Sequence, residues 1–281
     1  MADAARAGVL AERHAAVLGR PVAHSLSPLL HRAAYAELGL NWTYAALDCG
    51  PDELAGVLAE RADWAGFSCT MPLKHAVLDV AAEVAPVARA VGAGNTLLPL
   101  PGGGWRADNT DVAGIVATLA EHAVAPRTVT LVGAGGTAQA AVAALATFGL
   151  EECTVLVRDV RRTEQVRATG AALGVTIRTA TLAAESPELG ADLVVSTLPH
   201  GAADPLAARP WTAEQTVLDV VYDAWPTALA RAVAAAGGKV LSGALMLLHQ
   251  AAVQVALMTG CEAPVVAMRA ALAHAAPDCG V

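Results

Sequence analysis

An apolar run at residues 128–132 opens directly onto Gly133, Ala134, Gly135 and Gly136, and an alanine-rich stretch free of glycine and proline follows at residues 137–148. Glycines let a chain turn sharply out of a buried strand, and the order of apolar run, glycine loop and helix former is that of strand, turn and helix. In that arrangement backbone N–H groups at the helix N-terminus can meet a pyrophosphate, so the segment reads as a dinucleotide-binding loop. A second strand, residues 153–157, follows at the expected interval. The loop lies in mid-chain, with over a hundred residues before it. If it holds a cofactor, those earlier residues should hold what the cofactor reacts with.

The rest of the chain agrees with an α/β class. Up to about Asp111, strand-like runs (17–18, 42–47, 67–69, 95–100) alternate with helical ones (28–38, 52–59, 73–80). Pro101, Gly102, Gly103 and Gly104 read as a hairpin turn, because Trp105 and Arg106 resume an extended stretch. From about Val112 to Lys239 a second series has strands at Val129, Val155, Val175, Leu193 and Val217 with helices between, the pattern of a parallel sheet. The tail after Ser242 is helical.

Composition excludes several classes. At 281 residues the chain suggests two domains. Hydrophobic residues make up 55 %, but much of that is alanine, which suits tightly packed helices. The charge-free stretch between Lys239 and Glu262 contains His249, Gln250, Gln254, Gly243 and Gly260, and reads as a buried helix of a soluble protein. The first residues, with Asp3, Arg6, Glu12 and Arg13, lack the apolar core of a signal peptide, so a cytoplasmic location is expected. Five scattered cysteines form no close pair and are expected to be reduced; the eight histidines show no metal spacing, and no metal is expected. A net charge of −8 provides no basic surface for nucleic acid, which leaves small molecules as partners.

Three polar clusters before the glycine loop are not required by periodicity. In His24, Ser25, Leu26, Ser27 and Pro28, Ser27 can cap a helix with Pro28 at its first position, whereas Ser25 is not needed for capping and is the better ligand candidate. In Ser68 to Lys74 the lysine falls in the expected first turn of a helix, where it opposes the macrodipole unless something holds it. Gly94, Asn95 and Thr96, with Asp108, Asn109, Thr110 and Asp111, offer carboxylates and carboxamides that can be that something. A Lys and an Asp brought together in a cleft make a proton-transfer pair. An exposed lysine and a helix starting at Asp111 is the plain structural alternative.

As a set these residues resemble the shikimate dehydrogenases. The resemblance covers nearly the whole chain: Gly19, Pro21, His24, Ser25, Ser27, Pro28 and His31; Thr70, Pro72 and Lys74; Asn95 and Thr96; Asn109, Thr110, Asp111 and Gly114; the glycine loop; Tyr222 and Thr227; Gly243, Met246, Leu247 and Gln250. It implies two α/β domains flanking a cleft: an N-terminal substrate domain, 1–112 together with 241–281, and a Rossmann-like, doubly wound dinucleotide-binding domain, 113–240. Ser25, Ser27 and Tyr222 would bind the substrate carboxylate, and Thr70, Asn95, Asp111 and Gln250 the ring hydroxyls. Lys74 and Asp111 would be the catalytic pair. The implied reaction is reversible reduction of 3-dehydroshikimate to shikimate with NADPH, in aromatic amino acid (chorismate) biosynthesis, by a monomer or homodimer. Cofactor contacts would come from Gly133, Ala134, Gly135, Gly136, Thr137, Ala138, Arg158, Thr197, Val220, Gly243 and Met246.

Cofactor choice rests on the end of the second strand, where NAD enzymes place an acid and NADP enzymes place cations. Here Val157 is followed by Arg158, Asp159, Arg161 and Arg162. Arg158 can stack on adenine while its guanidinium meets the 2′-phosphate, which favours NADP. Asp159 keeps NAD as the lesser alternative. Ser68 and Cys69 stand where the family commonly has Asn and Val, and residues 223–226 replace a shorter Asn and Pro signature. Rival readings are a quinate or aminoshikimate dehydrogenase using NAD and a non-catalytic nucleotide-binding module.

Overall fold

The computed structural model describes residues 12–281, so Asp3 and Arg6 lie outside the described residues. Strand β1 (Arg13–Gly19) explains how the first sheet is buried. Its alternate side chains feed two cores: Ala16 and Leu18 join Phe67, Leu97 and Trp105, while Ala15 and Val17 join Val22, Tyr35 and Tyr44. Side chains alternate with period two, so a strand apolar on both faces is one covered on both faces. Strands β2 (Trp42–Asp48) and β3 (Gly66–Cys69) flank β1 in parallel. Strand β5 (Thr96–Pro99) runs antiparallel to β3, β6 (Trp105–Asp108) antiparallel to β5, and β4 (Glu83–Val84) pairs with β6 at the edge. The expected hairpin joins β5 to β6, closed by Gly103 N–H donating to the Leu100 carbonyl at 2.9 Å. The sequence reading omitted β4, whose two residues are too few to show alternation.

Helices α1 (Ser27–Glu37), α2 (Leu54–Glu60), α3 (Ala76–Val80) and α4 (Pro86–Val91) connect these strands. The register has a direct consequence for function. Ser68 pairs with Thr96 and Thr96 with Asp108. The ends of β1, β3 and β6 and the start of β5 therefore lie along one edge of the sheet, and all three polar clusters leave from that edge.

The second sheet is wholly parallel, in the order β12-β11-β10-β7-β8-β9. It contains β7 (Val129–Val132), β8 (Glu152–Val157), β9 (Thr176–Thr181), β10 (Leu193–Ser196), β11 (Thr216–Asp219) and β12 (Lys239–Ser242). Starting at β7, this is the doubly wound order, with the strand sequence reversing between β7 and β10. Helices α5 (Asp111–Glu121), α6 (Gly136–Ala146), α7 (Glu164–Leu173) and α8 (Ala228–Ala235) belong to it. Within α6 almost every residue is buried, which alanine permits because it fills little space and favours helix. β9 begins one residue after the expected Val175, and β12, inside which the expected domain boundary at 240/241 falls, is a sixth strand. Helices α9 (Gly243–Thr259) and α10 (Val265–Ala275) form the tail, and α10 packs against α1.

Two compact units result: residues up to Arg89 with Ala93–Thr110 and Leu248–Ala275, and Ala90–Gly92 with Asp111–Leu247 and Ala276–Val281. Each holds one sheet. Among the described residues no helix is long and apolar enough to cross a membrane.

Candidate active site

In the first unit, main-chain hydrogen bonds tie two of the polar clusters together. Cys69 N–H donates to the Asn95 carbonyl at 2.7 Å, and Gly94 N–H donates to the Lys74 carbonyl at 2.7 Å. The loop carrying Thr70 and Lys74 is thereby held against the one carrying Asn95. Thr70 N–H in turn donates to the Leu18 carbonyl at 2.9 Å, and a Cβ on Gly19 would collide with the Thr70 side chain. Gly19 thus lets the loop after β1, which leads to Ser25, pass close to Thr70.

Asn95 is the most constrained of these residues. Its Oδ1 accepts from Thr110 N–H at 2.8 Å and from the Thr96 hydroxyl at 2.9 Å. Its Nδ2 donates to Thr110 Oγ1 at 3.0 Å and to Gln250 Oε1 at 3.3 Å. Asn95, Thr110 and Gln250 are all buried, so these groups depend on one another for their hydrogen bonds. Asn109 donates to the Ala93 carbonyl at 2.8 Å and so holds the loop before Asn95.

A buried network extends from this cluster. Gln254 on α9 donates to the Asn95 carbonyl at 3.2 Å and to Thr96 Oγ1 at 3.0 Å, and its Oε1 lies 2.6 Å from Ser68 Oγ and 3.3 Å from His31 Nε2. Tyr44 bonds Ser68 at 2.5 Å, and Tyr35 meets His31 Nδ1 at 3.3 Å. Burial lowers the His31 pKa to about 3, against the Gln254 hydrogen bond that raises it, so the ring is neutral at pH 7. Burial likewise pushes the Tyr44 phenol up.

Two local expectations are corrected. Ser27 is the first residue of α1 rather than its cap; Leu26 occupies the cap position without a side-chain bond, and Ser25 Oγ accepts from Ser27 N–H at 3.3 Å. The hydroxyl two residues upstream reaches the first amide, so Ser25 takes part in ordering the helix start. Lys74 lies in a turn before α3, which begins only at Ala76, so the macrodipole does not act on it as within a first turn.

The second unit carries the glycine loop at the strand-order reversal between β7 and β10. Gly133 has φ +106°, a left-handed region that favours glycine, and a Cβ there would approach Thr197 Oγ1 to 2.5 Å. Thr197 donates from N–H and hydroxyl to the Val132 carbonyl at 2.8 and 2.9 Å, fixing this corner. At Gly135 a Cβ would meet nothing within 4 Å, and no side chain caps the start of α6. Protein packing therefore does not explain that glycine, whereas a pyrophosphate approaching the helix N-terminus does. Gly136, Thr137 and Ala138 are the first residues of the helix, and Ala134 links them to Gly133. A dinucleotide fits this loop. Gly243 opens α9 where a Cβ would collide with the carbonyl of Val220, so these two residues touch; Met246 lies buried one turn on.

Arg158 is exposed directly after β8. Asp159 is engaged by Arg161: its carboxylate accepts from Arg161 N–H at 3.0 Å and from the guanidinium at 3.0 and 2.8 Å. That side-chain hydrogen bond, more than the backbone one, holds the Asp159 pKa below the usual carboxylate range. Asp111 is buried at the start of α5, in the second unit, while Lys74 belongs to the first. Tyr222 also belongs to the second unit, with its carbonyl accepting from the Cys279 thiol at 3.7 Å. All five cysteines are free, and among the described residues no group of three or more His, Cys, Asp or Glu is placed to hold a metal.

Residues 17–97 match the family described as Shikimate dehydrogenase substrate binding domain, and residues 243–273 match Shikimate 5'-dehydrogenase C-terminal domain. A protein from Halobacterium salinarum named Shikimate dehydrogenase (NADP(+)) is 38 % identical over 267 residues, covering 91 % of this chain and 97 % of that protein. The chain belongs to the shikimate dehydrogenase family. The crystal structure of the Mycobacterium tuberculosis shikimate dehydrogenase is similar with a TM-score of 0.83 at 44 % identity, covering 93 % of this chain and 99 % of that one. A quinate dehydrogenase from Corynebacterium glutamicum in complex with NAD is also similar, with a TM-score of 0.82 at 28 % identity over 94 % of this chain and all of that chain (100 %).

Proposed function

We propose that this chain catalyses the reversible NADPH-dependent reduction of 3-dehydroshikimate to shikimate, a step of aromatic amino acid biosynthesis. The observation that carries the reading is the buried cluster of Asn95, Thr110 and Gln250, whose oriented carboxamides suit a polyhydroxylated ring. In this reading residues 1–112 and 241–281 form the substrate domain and 113–240 the NADP domain. Thr70, Asn95, Asp111 and Gln250 bind ring hydroxyls, and Ser25, Ser27 and Tyr222 bind the carboxylate.

NADPH, when bound, supplies the hydride. Lys74, as an ammonium, gives a proton to the oxygen on which negative charge develops, and as an amine takes it back in the reverse direction. A positioned proton donor of this kind contributes about 10²- to 10⁴-fold to rate. Asp111 is the second member of the proposed catalytic pair. Residues 133–138 would hold the pyrophosphate and Arg158 the 2′-phosphate, with Thr197, Val220, Gly243 and Met246 as further cofactor contacts. The engagement of Asp159 by Arg161 supports NADP over NAD, because the carboxylate that a ribose hydroxyl would need already has a cation. Free cysteines suit a cytoplasmic enzyme and a net charge of −8 suits small-molecule partners rather than nucleic acid; in this reading the enzyme is a monomer or homodimer.

Initial rates of NADP and NAD reduction with shikimate and with quinate test this reading. Turnover confined to shikimate with NADP supports it. A preference for quinate or NAD replaces it with the quinate dehydrogenase alternative, and NADPH binding without turnover of any ring substrate replaces it with a silent binding module.

A further inference from the structure

Asp219 ends β11 with a carboxylate that is 1 % exposed, and the reaction described above makes no use of it. Burying a carboxylate is costly unless it is hydrogen-bonded. Two donors meet this one: the Thr227 hydroxyl at Oδ2, 2.9 Å away, and Val221 N–H at Oδ1, 3.4 Å away. Burial pushes the Asp219 pKa up, and the Thr227 bond is the largest influence pulling it back. Thr227 is buried too, and it caps α8, where its Oγ1 accepts from Ala230 N–H at 3.0 Å. One hydroxyl therefore accepts for the helix and gives its proton to the carboxylate.

Between Asp219 and Thr227 runs the loop 220–226, which carries Tyr222, and all of it belongs to the second unit. The start of the loop is set by main-chain bonds: Val220 N–H donates to the Ser196 carbonyl at 3.0 Å, and Gly243 N–H to the Val221 carbonyl at 3.2 Å. Further along, Ala224 has φ +49°, a left-handed conformation that alanine keeps where the surrounding structure imposes it. The Asp219–Thr227 bond joins the two ends of the loop and supplies that constraint. We infer that Asp219 and Thr227 are positioning residues for substrate, whose bond closes this loop and holds Tyr222 in place for the substrate carboxylate.

The inference rests on the dehydrogenase reading, and the test separates the two. A wild type inactive on shikimate defeats that reading and, with it, the role of Tyr222. Given activity, shikimate kinetics compare Tyr222→Phe, Thr227→Val, Thr227→Ser and the double variant of Tyr222→Phe with Thr227→Val. Thr227→Val should raise KM for shikimate about tenfold, the worth of one aligned hydrogen bond, with kcat unchanged because the carboxylate is remote from the reacting carbon. Tyr222→Phe sets the upper limit of that effect. The NADP dissociation constant should stay unchanged, since main-chain bonds hold Val220 independently. Thr227→Ser keeps the hydroxyl and should behave as wild type. In the Tyr222→Phe background Thr227→Val should add nothing to KM, because the group it misplaces is already gone. An equal rise in KM with and without the Tyr222 hydroxyl means general damage to the second unit and overturns the inference, as does a wild-type KM in either single variant. If Thr227→Val fails to fold for want of its helix cap, Asp219→Asn leaves that cap in place. Its neutral bond is about half as strong as the charged one, so KM should rise about threefold, again only while the Tyr222 hydroxyl is present.

Discussion

His31 makes a quantitative demand on stability. Its folded pKa of about 3 lies below the unfolded value of 6.5, so protons bind the unfolded chain first. Stability is therefore lost as the pH falls from about 6.5, at a slope approaching 1.4 kcal/mol per unit, and the slope flattens only below about 3. Between pH 7.5 and 5.0 this one ring should cost about 2 kcal/mol, a large share of a typical folding free energy. Urea unfolding of the wild type and of His31→Gln at both pH values isolates the contribution, because the remaining histidines cancel in the difference. The pH-dependent loss should be about 2 kcal/mol smaller in the variant. An equal loss in both proteins refutes the argument, as does a ring nitrogen spectrum in which His31 titrates near 6.5.

Other expectations concern the reaction and the glycine loop. Lys74→Ala should lower kcat about a hundredfold or more with NADPH affinity intact; a change confined to KM would reduce Lys74 to a binding group. Arg158→Ala should weaken NADPH binding about tenfold or more, as expected for a lost charge-assisted hydrogen bond, and spare NADH; calorimetry with both cofactors checks this. Gly133→Ala should cost about 1–3 kcal/mol in urea unfolding, since alanine at φ +106° is strained and its Cβ meets Thr197. An unchanged midpoint would mean the loop relaxes freely.

Much of this protein follows from local sequence. The apolar run, glycine loop and alanine-rich segment specify β7, the turn and α6, because strand burial, left-handed backbone and helix propensity each act over a few residues. The place of Arg158 directly after β8 was likewise readable. The choice of cap at Ser25 and Ser27 and the start of α3 after Lys74 were not, because they depend on loop geometry that adjacent residues do not encode. Gln254 was visible only as a polar residue in a charge-free helix, with no sign of its partners. Its partners His31, Ser68, Asn95 and Thr96 lie as far as 223 residues away. Sequence determined which groups could donate and accept. Only the tertiary structure decided their directions, because a buried hydrogen-bond chain takes its polarity from the backbone amide and carbonyl at its ends, and folding alone brings those together.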